Sequence, residues 1–215
     1  ESPTPFRLRM KMLKLAFAGF GKNIVFDDYE LKQGGKTYTY QLVQYLKKRY
    51  DNPEIYLLVG TDCLNDLHNW KNPGYIFDNA VVVAGKRKGY NENPAQFNHL
   101  FLPGFFPKLS SSRVRAHILA CGDVPDTVPE IIAPIIRENN LYGLDVHTWL
   151  KAHLKPNRYL HSKNVAKMAA AFSDIYDVNV ELAVKAGIMH DAGKGFSGPE
   201  LIAFCKEHKI KVPFF

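Results

Sequence analysis

The sequence predicts an α/β domain built on a parallel sheet, followed by an all-α segment. Three observations carry this reading. Two short apolar runs, residues 54–60 (EIYLLVG) and 80–85 (AVVVAG), each end in glycine. That is the pattern of buried parallel strands opening into loops. Stretches of helical spacing lie around and between these runs, as in a βα alternation. Near residue 147 the apolar runs stop and helical spacing alone continues. Residues 1–147 and 148–215 are therefore read as two domains.

Each element follows from its own pattern. Residues 6–19 place Leu8, Met12, Leu15 and Ala16 at helical spacing among basic residues, and Gly19 closes this amphipathic helix. Residues 24–31 read as a short strand leading into a turn at Gly34-Gly35. Residues 39–50 return to helical spacing through Leu42, Tyr45 and Leu46. After the first apolar run, a helix is expected to begin over 64–70. Residues 101–107 (FLPGFFP) are too rich in Pro and Gly for a helix and lead to Ser110-Ser111-Ser112. Helices follow over 114–120 and from about 129 to 138. In the second domain Val165, Met168, Ala169, Phe172 and Ile175, then Leu182, Ala183, Ala186 and Ile188, keep helical spacing. No internal repeat or low-complexity tract interrupts the chain.

Composition bounds the function. Hydrophobic residues make up 46% of the 215, enough for a packed core and against disorder. Lys and Arg outnumber Asp and Glu by 28 to 21, a net +7 that suits anionic partners or a lysine-rich surface. Cys63, Cys121 and Cys205 are too far apart for a CxxC site and too few for a disulfide framework, which fits reduced cytoplasmic thiols. No apolar run reaches the roughly 18–20 residues that span a bilayer, and no signal-peptide pattern opens the chain. The expectation is a cytoplasmic protein without a membrane or nucleic-acid partner. Its oligomeric state is open, a homodimer being one option.

Ligands of parallel sheets bind beyond the carboxyl ends of the strands, so the loops after Gly60 and Gly85 are the places to look. Gly60-Thr61-Asp62 combines a glycine, which lets a ligand approach the backbone, with a carboxylate able to accept from a hydroxyl. Trp70, eight residues beyond Asp62, could stack on a flat ring. Taken singly, Asp62 also reads as a helix cap and Trp70 as a core residue. Ser110-Ser111-Ser112 places hydroxyls and amide donors at a helix start, with Arg113 and Arg115 in its first turn. Helix dipole, amides and guanidiniums together suit a polyphosphate; a serine cap with surface arginines is the plainer reading. Lys86-Arg87-Lys88-Gly89 is alone a solvated charge cluster.

In this order and spacing the pieces resemble the bacterial nicotinate-mononucleotide adenylyltransferases. Their GxDxLxxLxxW signature is matched by Gly60, Asp62, Leu64, Leu67 and Trp70, and their ISS[ST]xxR-type signature by residues 109–115, with Leu109 in place of Ile. Arg9, Met12 and Leu13 match the RxxML helix, and Tyr38-Thr39 the Tyr-Thr before a helix. The resemblance covers residues 5–143 and implies a Rossmann-like nucleotidyltransferase domain. It implies nicotinate-nucleotide binding by Tyr38, Thr39, Gly60, Asp62 and Trp70. It also implies ATP binding by Ser110, Ser111, Ser112 and Arg115, with Arg87 assisting and Arg115 catalytic. The implied reaction transfers AMP from ATP to nicotinate mononucleotide with Mg²⁺ and no protein nucleophile. The family's HxGH motif, which contacts the reacting phosphates, does not occur in this sequence. Without it the transfer should be poorly catalysed, and the chain is expected to be truncated at both ends.

The second domain offers His161 at the front of one helix and His190-Asp191 at the end of another, with Lys194 one turn on. The small residues of AVKAGIMHDAGK allow close helix packing, which would bring His161 to His190-Asp191. Two imidazoles and a carboxylate suit Fe, Mn, Zn or Mg acting on phosphates. Residues 148–215 resemble HD-domain phosphohydrolases, and RYLHSKNVA…AGIMHDAGK is most like the branch that hydrolyses diadenosine tetraphosphate symmetrically. The resemblance implies His161, His190 and Asp191 as ligands of Fe or another divalent metal, with Lys194 near the substrate phosphate. His208 falls outside that pattern and reads as surface. Three functions are carried forward: a bifunctional enzyme, an adenylyltransferase with a degenerate helical tail, and a non-catalytic nucleotide-binding regulator.

Overall fold

The computed structural model describes residues 4–87, 99–106 and 109–211. The chain divides into two compact units, residues 25–108 and residues 1–24 with 109–215.

The first helix of the chain, α1 (Phe6–Ala16), sets Met12 and Leu15 against a buried cluster of the larger unit, which explains its amphipathic spacing. In the smaller unit, residues 24–28 do not form the strand expected from their composition. Asp27 Oδ1 accepts the Tyr29 N–H at 2.8 Å and starts the single-turn helix α2 (Tyr29–Lys32). Asp27 Oδ2 accepts from the Tyr45 hydroxyl and from the Arg49 guanidinium, both on α3 (Thr39–Arg49). The Tyr29 ring stacks on Tyr45 with centroids 4.0 Å apart. Side-chain bonds, rather than a strand ladder, fix this segment.

Three parallel strands follow, β1 (Tyr56–Gly60), β2 (Val81–Arg87) and β3 (His99–Phe106), in the order β1-β2-β3. Gly60 ends β1 and pairs with Gly85, whereas β2 runs two residues beyond the end expected at Gly85, to Arg87, where it pairs with Phe106 of β3. The segment FLPGFFP, too rich in Pro and Gly for a helix, contributes to β3, where Leu100, Phe101 and Leu102 pair in register with Val83, Ala84 and Gly85. Pro103 is tolerated because β3 has a sheet neighbour on one side only among the described residues. Gly104 takes φ 98° near the register shift between Gly85 and Arg87.

The β1–β2 connection holds α4 (Thr61–Asp66) and α5 (Pro73–Asn79). α4 begins three residues ahead of the expected start at 64 and gives way to a 3₁₀ turn over Leu67–Asn69. Trp70 therefore lies beyond the helix, in extended backbone. Leu64, Leu67, Val82 and Ala84 form the buried core, with Leu57, Val59, Trp70, Phe77 and Phe101 packed on it.

The larger unit is helical: α1, α6 (Ser111–Cys121), α7 (Ala133–Glu138), α8 (Leu144–His153), α9 (Pro156–Ile175), α10 (Val180–Met189) and α11 (Gly198–Glu207). α7 is shorter than the expected 129–138 because residues 129–132 form a turn, the Ile132 N–H donating to the Pro129 carbonyl at 2.8 Å. α6 ends at Gly122, at φ 73°, where an added Cβ would stand 2.9 Å from the His147 ring. Both the left-handed backbone and the close contact call for glycine. One core joins Ala116 and Ala120 of α6, Leu150 of α8, Leu154, Ala166 of α9, and Val184 and Ile188 of α10. Packing is thus continuous across residue 147, where the sequence changes character. No helix among the described residues is long and apolar enough to cross a membrane.

Candidate metal and nucleotide sites

α9 and α10 approach each other because position 187 has no side chain. A Cβ on Gly187 would lie 2.9 Å from the Ala166 Cα. His161 on α9 and His190 at the end of α10 consequently face each other, Nε2 to Nε2 at 3.2 Å. The His190 Nδ1–H donates to the Gly187 carbonyl at 2.7 Å, which leaves the Nε2 lone pair directed at His161. Asp191 Oδ1 stands 3.7 Å from His190 Nε2. One ligand atom from each of the three residues lies within 4.8 Å of the others.

This donor set fits a divalent ion. Two imidazole nitrogens bound at about 2.0–2.1 Å and near-tetrahedral or right angles stand roughly 2.9–3.4 Å apart, which brackets the observed separation. Two facing lone pairs otherwise repel unless a proton or a cation lies between them. Arg158 Nη1 donates to Asp191 Oδ2 at 3.1 Å and orients the carboxylate. Lys155, Pro156, Asn157 and Arg158 join His161 and Asp191 around an open groove of about 750 Å³. Lys194 is exposed on the 3₁₀ turn after Asp191, its backbone N–H donating to the Asp191 carbonyl at 2.9 Å. His208 is exposed beside Phe204, as expected for a surface residue.

In the smaller unit, Gly60 and Asp62 stand at the carboxyl end of β1, where the sequence places them. Thr61 Oγ1 donates to the Gly85 carbonyl at 3.0 Å and ties this end of β1 to β2. Thr61 is fully buried, so the loop after β1 is anchored from below. Asp62 sits in the first turn of α4, half-buried. Trp70 is half-buried and packs against the sheet core, not on the helix as its spacing suggested. Tyr38 caps α3 and is exposed, and Thr39 beside it is half-buried. Arg87 is described in its backbone alone, and Lys88 and Gly89 lie outside the described residues.

In the larger unit, Ser110 caps α6, its Oγ accepting the Arg113 N–H at 3.2 Å, and Ser111 and Ser112 fill the first turn. The arginines here have partners the sequence did not reveal. Arg115 Nε and Nη2 donate to the two carboxylate oxygens of Glu181 at 2.9 and 2.6 Å, and Nη2 also to Ser112 Oγ at 3.2 Å. Arg113 pairs with Asp174. The Arg115 hydrogen bond holds the Glu181 carboxyl below the usual carboxylate range. Sequence reasoning gave no role to Lys155, Arg158, Glu181 or His147. Arg158 was legible, since it lies three residues before His161 and so on the same helix face. Glu181 was not, because 66 residues separate it from Arg115.

A parallel sheet followed by a helical segment with a His-His-Asp cluster defines an α/β domain joined to a helical domain. Residues 158–212 match the HD domain family. A relative from Clostridium tetani, named as a probable nicotinate-nucleotide adenylyltransferase, is 31% identical over 153 residues, covering 66% of this chain and 76% of the relative. A relative from Borrelia garinii with the same name is 31% identical over 134 residues, covering 62% and 68%. The solved Plasmodium falciparum nicotinic acid mononucleotide adenylyltransferase, complexed with APC, superposes with a TM-score of 0.51 at 20% identity, covering 65% of this chain and 76% of that one. The chain belongs to the nicotinate-nucleotide adenylyltransferase family and carries an HD domain behind it.

Proposed function

We propose that the chain transfers AMP from ATP to nicotinate mononucleotide in NAD biosynthesis, and that its HD segment is a metal-dependent hydrolase of dinucleoside polyphosphates such as diadenosine tetraphosphate. The division of labour follows residues 1–147 and 148–215, in a cytoplasmic protein. Family membership carries the first half of this reading, and the His161–His190–Asp191 cluster the second.

In the transfer, a phosphate oxygen of nicotinate mononucleotide attacks the α-phosphorus of ATP, a new P–O bond forms, and the bond to pyrophosphate breaks. No protein nucleophile is needed, so the side chains bind, orient and neutralise charge. Gly60, Asp62, Tyr38, Thr39 and Trp70 hold the nicotinate nucleotide. Ser110, Ser111, Ser112 and Arg115 hold the ATP phosphates, with Arg87 assisting. Mg²⁺ supplies further positive charge to the phosphates when bound.

In the hydrolase half, His161, His190 and Asp191 would hold Fe or another divalent ion, which when bound acidifies water and polarises a phosphoryl oxygen. Lys155 and Arg158 line the groove beside these ligands and give it positive charge for an anionic chain. Lys194, one turn beyond Asp191, is the remaining candidate for a phosphate contact.

Metal content tests the hydrolase reading. The protein loaded with Fe²⁺ or Mn²⁺ and desalted should retain the ion, and His190→Ala should lose most of it together with diadenosine tetraphosphate cleavage. Unchanged metal content in that variant would remove the hydrolase assignment. Deamido-NAD formation from ATP and nicotinate mononucleotide, measured separately, tests the transferase half.

A further inference from the structure

We infer that Glu181 of α10 stands in the place of a phosphate against Ser112 and Arg115, so that the HD helices and a nucleoside polyphosphate compete for the same guanidinium. This rests on the reading of Arg115 as an ATP-phosphate residue.

Ser112 and Arg115 lie three residues apart on the first turn of α6, and their polar groups meet on one another and on one carboxylate. Glu181 takes the Nε/Nη2 edge of the guanidinium with both oxygens, at 2.9 and 2.6 Å. That two-point grip is the one a phosphate uses on arginine. A polyphosphate arriving at this edge must displace the carboxylate or share the guanidinium with it. Part of its binding free energy then goes into breaking the Arg115–Glu181 pair. The neighbouring Arg113 also pairs with a carboxylate, through Nη2 to Asp174 Oδ1 of α9. Both carboxylates come from the helices that also carry the metal-ligand candidates. α10 has Glu181 in its first turn and His190 at its last. The same helix therefore links the arginine of the first activity to the metal cluster of the second.

ATP titration calorimetry on the full chain tests the competition. Glu181→Gln keeps the shape and removes the charge. The side chains of Arg115 and Glu181 are about one-third exposed, so the pair is worth that of a partly screened bridge. ATP should therefore bind Glu181→Gln roughly two- to fivefold more tightly. Glu181→Asp, which restores the carboxylate, should return most of the wild-type affinity, an effect a purely structural role would not give. Asp174→Asn, on the exposed neighbouring pair, should shift affinity in the same direction by less, and serves if Glu181→Gln unfolds. Equal or weaker ATP binding by folded Glu181→Gln, or by Asp174→Asn if that alone folds, overturns the inference. Arg115→Ala separates the two readings. If it weakens ATP binding while Glu181→Gln changes nothing, only the competition fails; if it leaves ATP binding unchanged, the phosphate role of Arg115 fails first.

Discussion

His147 is only 3% exposed yet has both ring nitrogens satisfied. Nε2 lies 2.8 Å from the Leu119 carbonyl, so it carries the proton, and Nδ1 accepts from the Tyr159 hydroxyl at 3.0 Å. The neutral ring fits this place, because a second proton would put a charge in a buried site. Burial lowers its pKa below the ordinary histidine value. As pH falls below about 6.5 the unfolded chain takes up the proton first, so the stability His147 contributes is complete above that pH and is lost below it. Thermal unfolding at pH 7.5 and 5.5 should show a Tm drop in the wild type that is smaller in His147→Gln, which starts from a lower Tm. An identical pH dependence in both would deny His147 this role. Trp70 invites a different measurement. It packs on the sheet core and is half-buried, so it is not fully enclosed by the protein. In a Trp149→Phe background, nicotinate mononucleotide should quench Trp70 emission. Absence of quenching at saturation would withdraw the stacking assignment.

Helix spacing transferred well from sequence to structure, and the reason is local. The helices are written within ten to twenty residues, but their buried faces are not. α1 has no buried residue. α9 buries Ser162, Ala166 and Ser173 while Met168, Phe172 and Ile175 are exposed, and α10 buries Val184 and Ile188 while Leu182 is exposed. The strands divide by context. β1 and β2 are continuous apolar runs with flanking glycines, whereas β3 contains Pro103 and Gly104 and forms only because β2 offers it a ladder. Residues 24–31 have strand-like composition but are claimed by Asp27, Tyr45 and Arg49. The approach of His161 to His190 was legible because its cause is local too: Gly187 in α10 permits the approach to α9. That cause can be tested directly. Gly187→Ala would place a methyl 2.9 Å from backbone that cannot rotate away. The helices must part, at a cost of about 1–3 kcal/mol, and His161 and His190 must separate with them. We expect a lower Tm together with weaker Fe²⁺ or Mn²⁺ retention. Retention at the wild-type level would show that helix spacing does not set the site.

At the scale of the whole chain, sequence character and packing divide the protein differently. The sequence turns all-helical near residue 147, whereas the α6 core is completed by Leu150, Leu154, Ala166, Val184 and Ile188, all beyond that point. Each of the large aliphatic side chains in that set is worth roughly 1.5–3 kcal/mol when fully buried. Ala116 and Ala120 of α6 are 2% exposed and face this set. A chain cut after residue 147 would return those alanines, with Leu119 beside them, to water. It would also remove Glu181 and Asp174 from Arg115 and Arg113. Losses of that size rival the roughly 5–15 kcal/mol by which a whole domain is stable. The fragment 1–147 should therefore bind a hydrophobic dye and melt at a markedly lower temperature, or without a cooperative transition, when compared with the full chain by circular dichroism. A cooperative transition within a few degrees of the full chain would mean that residues 1–147 fold on their own. The HD segment would then be an appendage, and the shared α6 core would have no part in holding the adenylyltransferase half together.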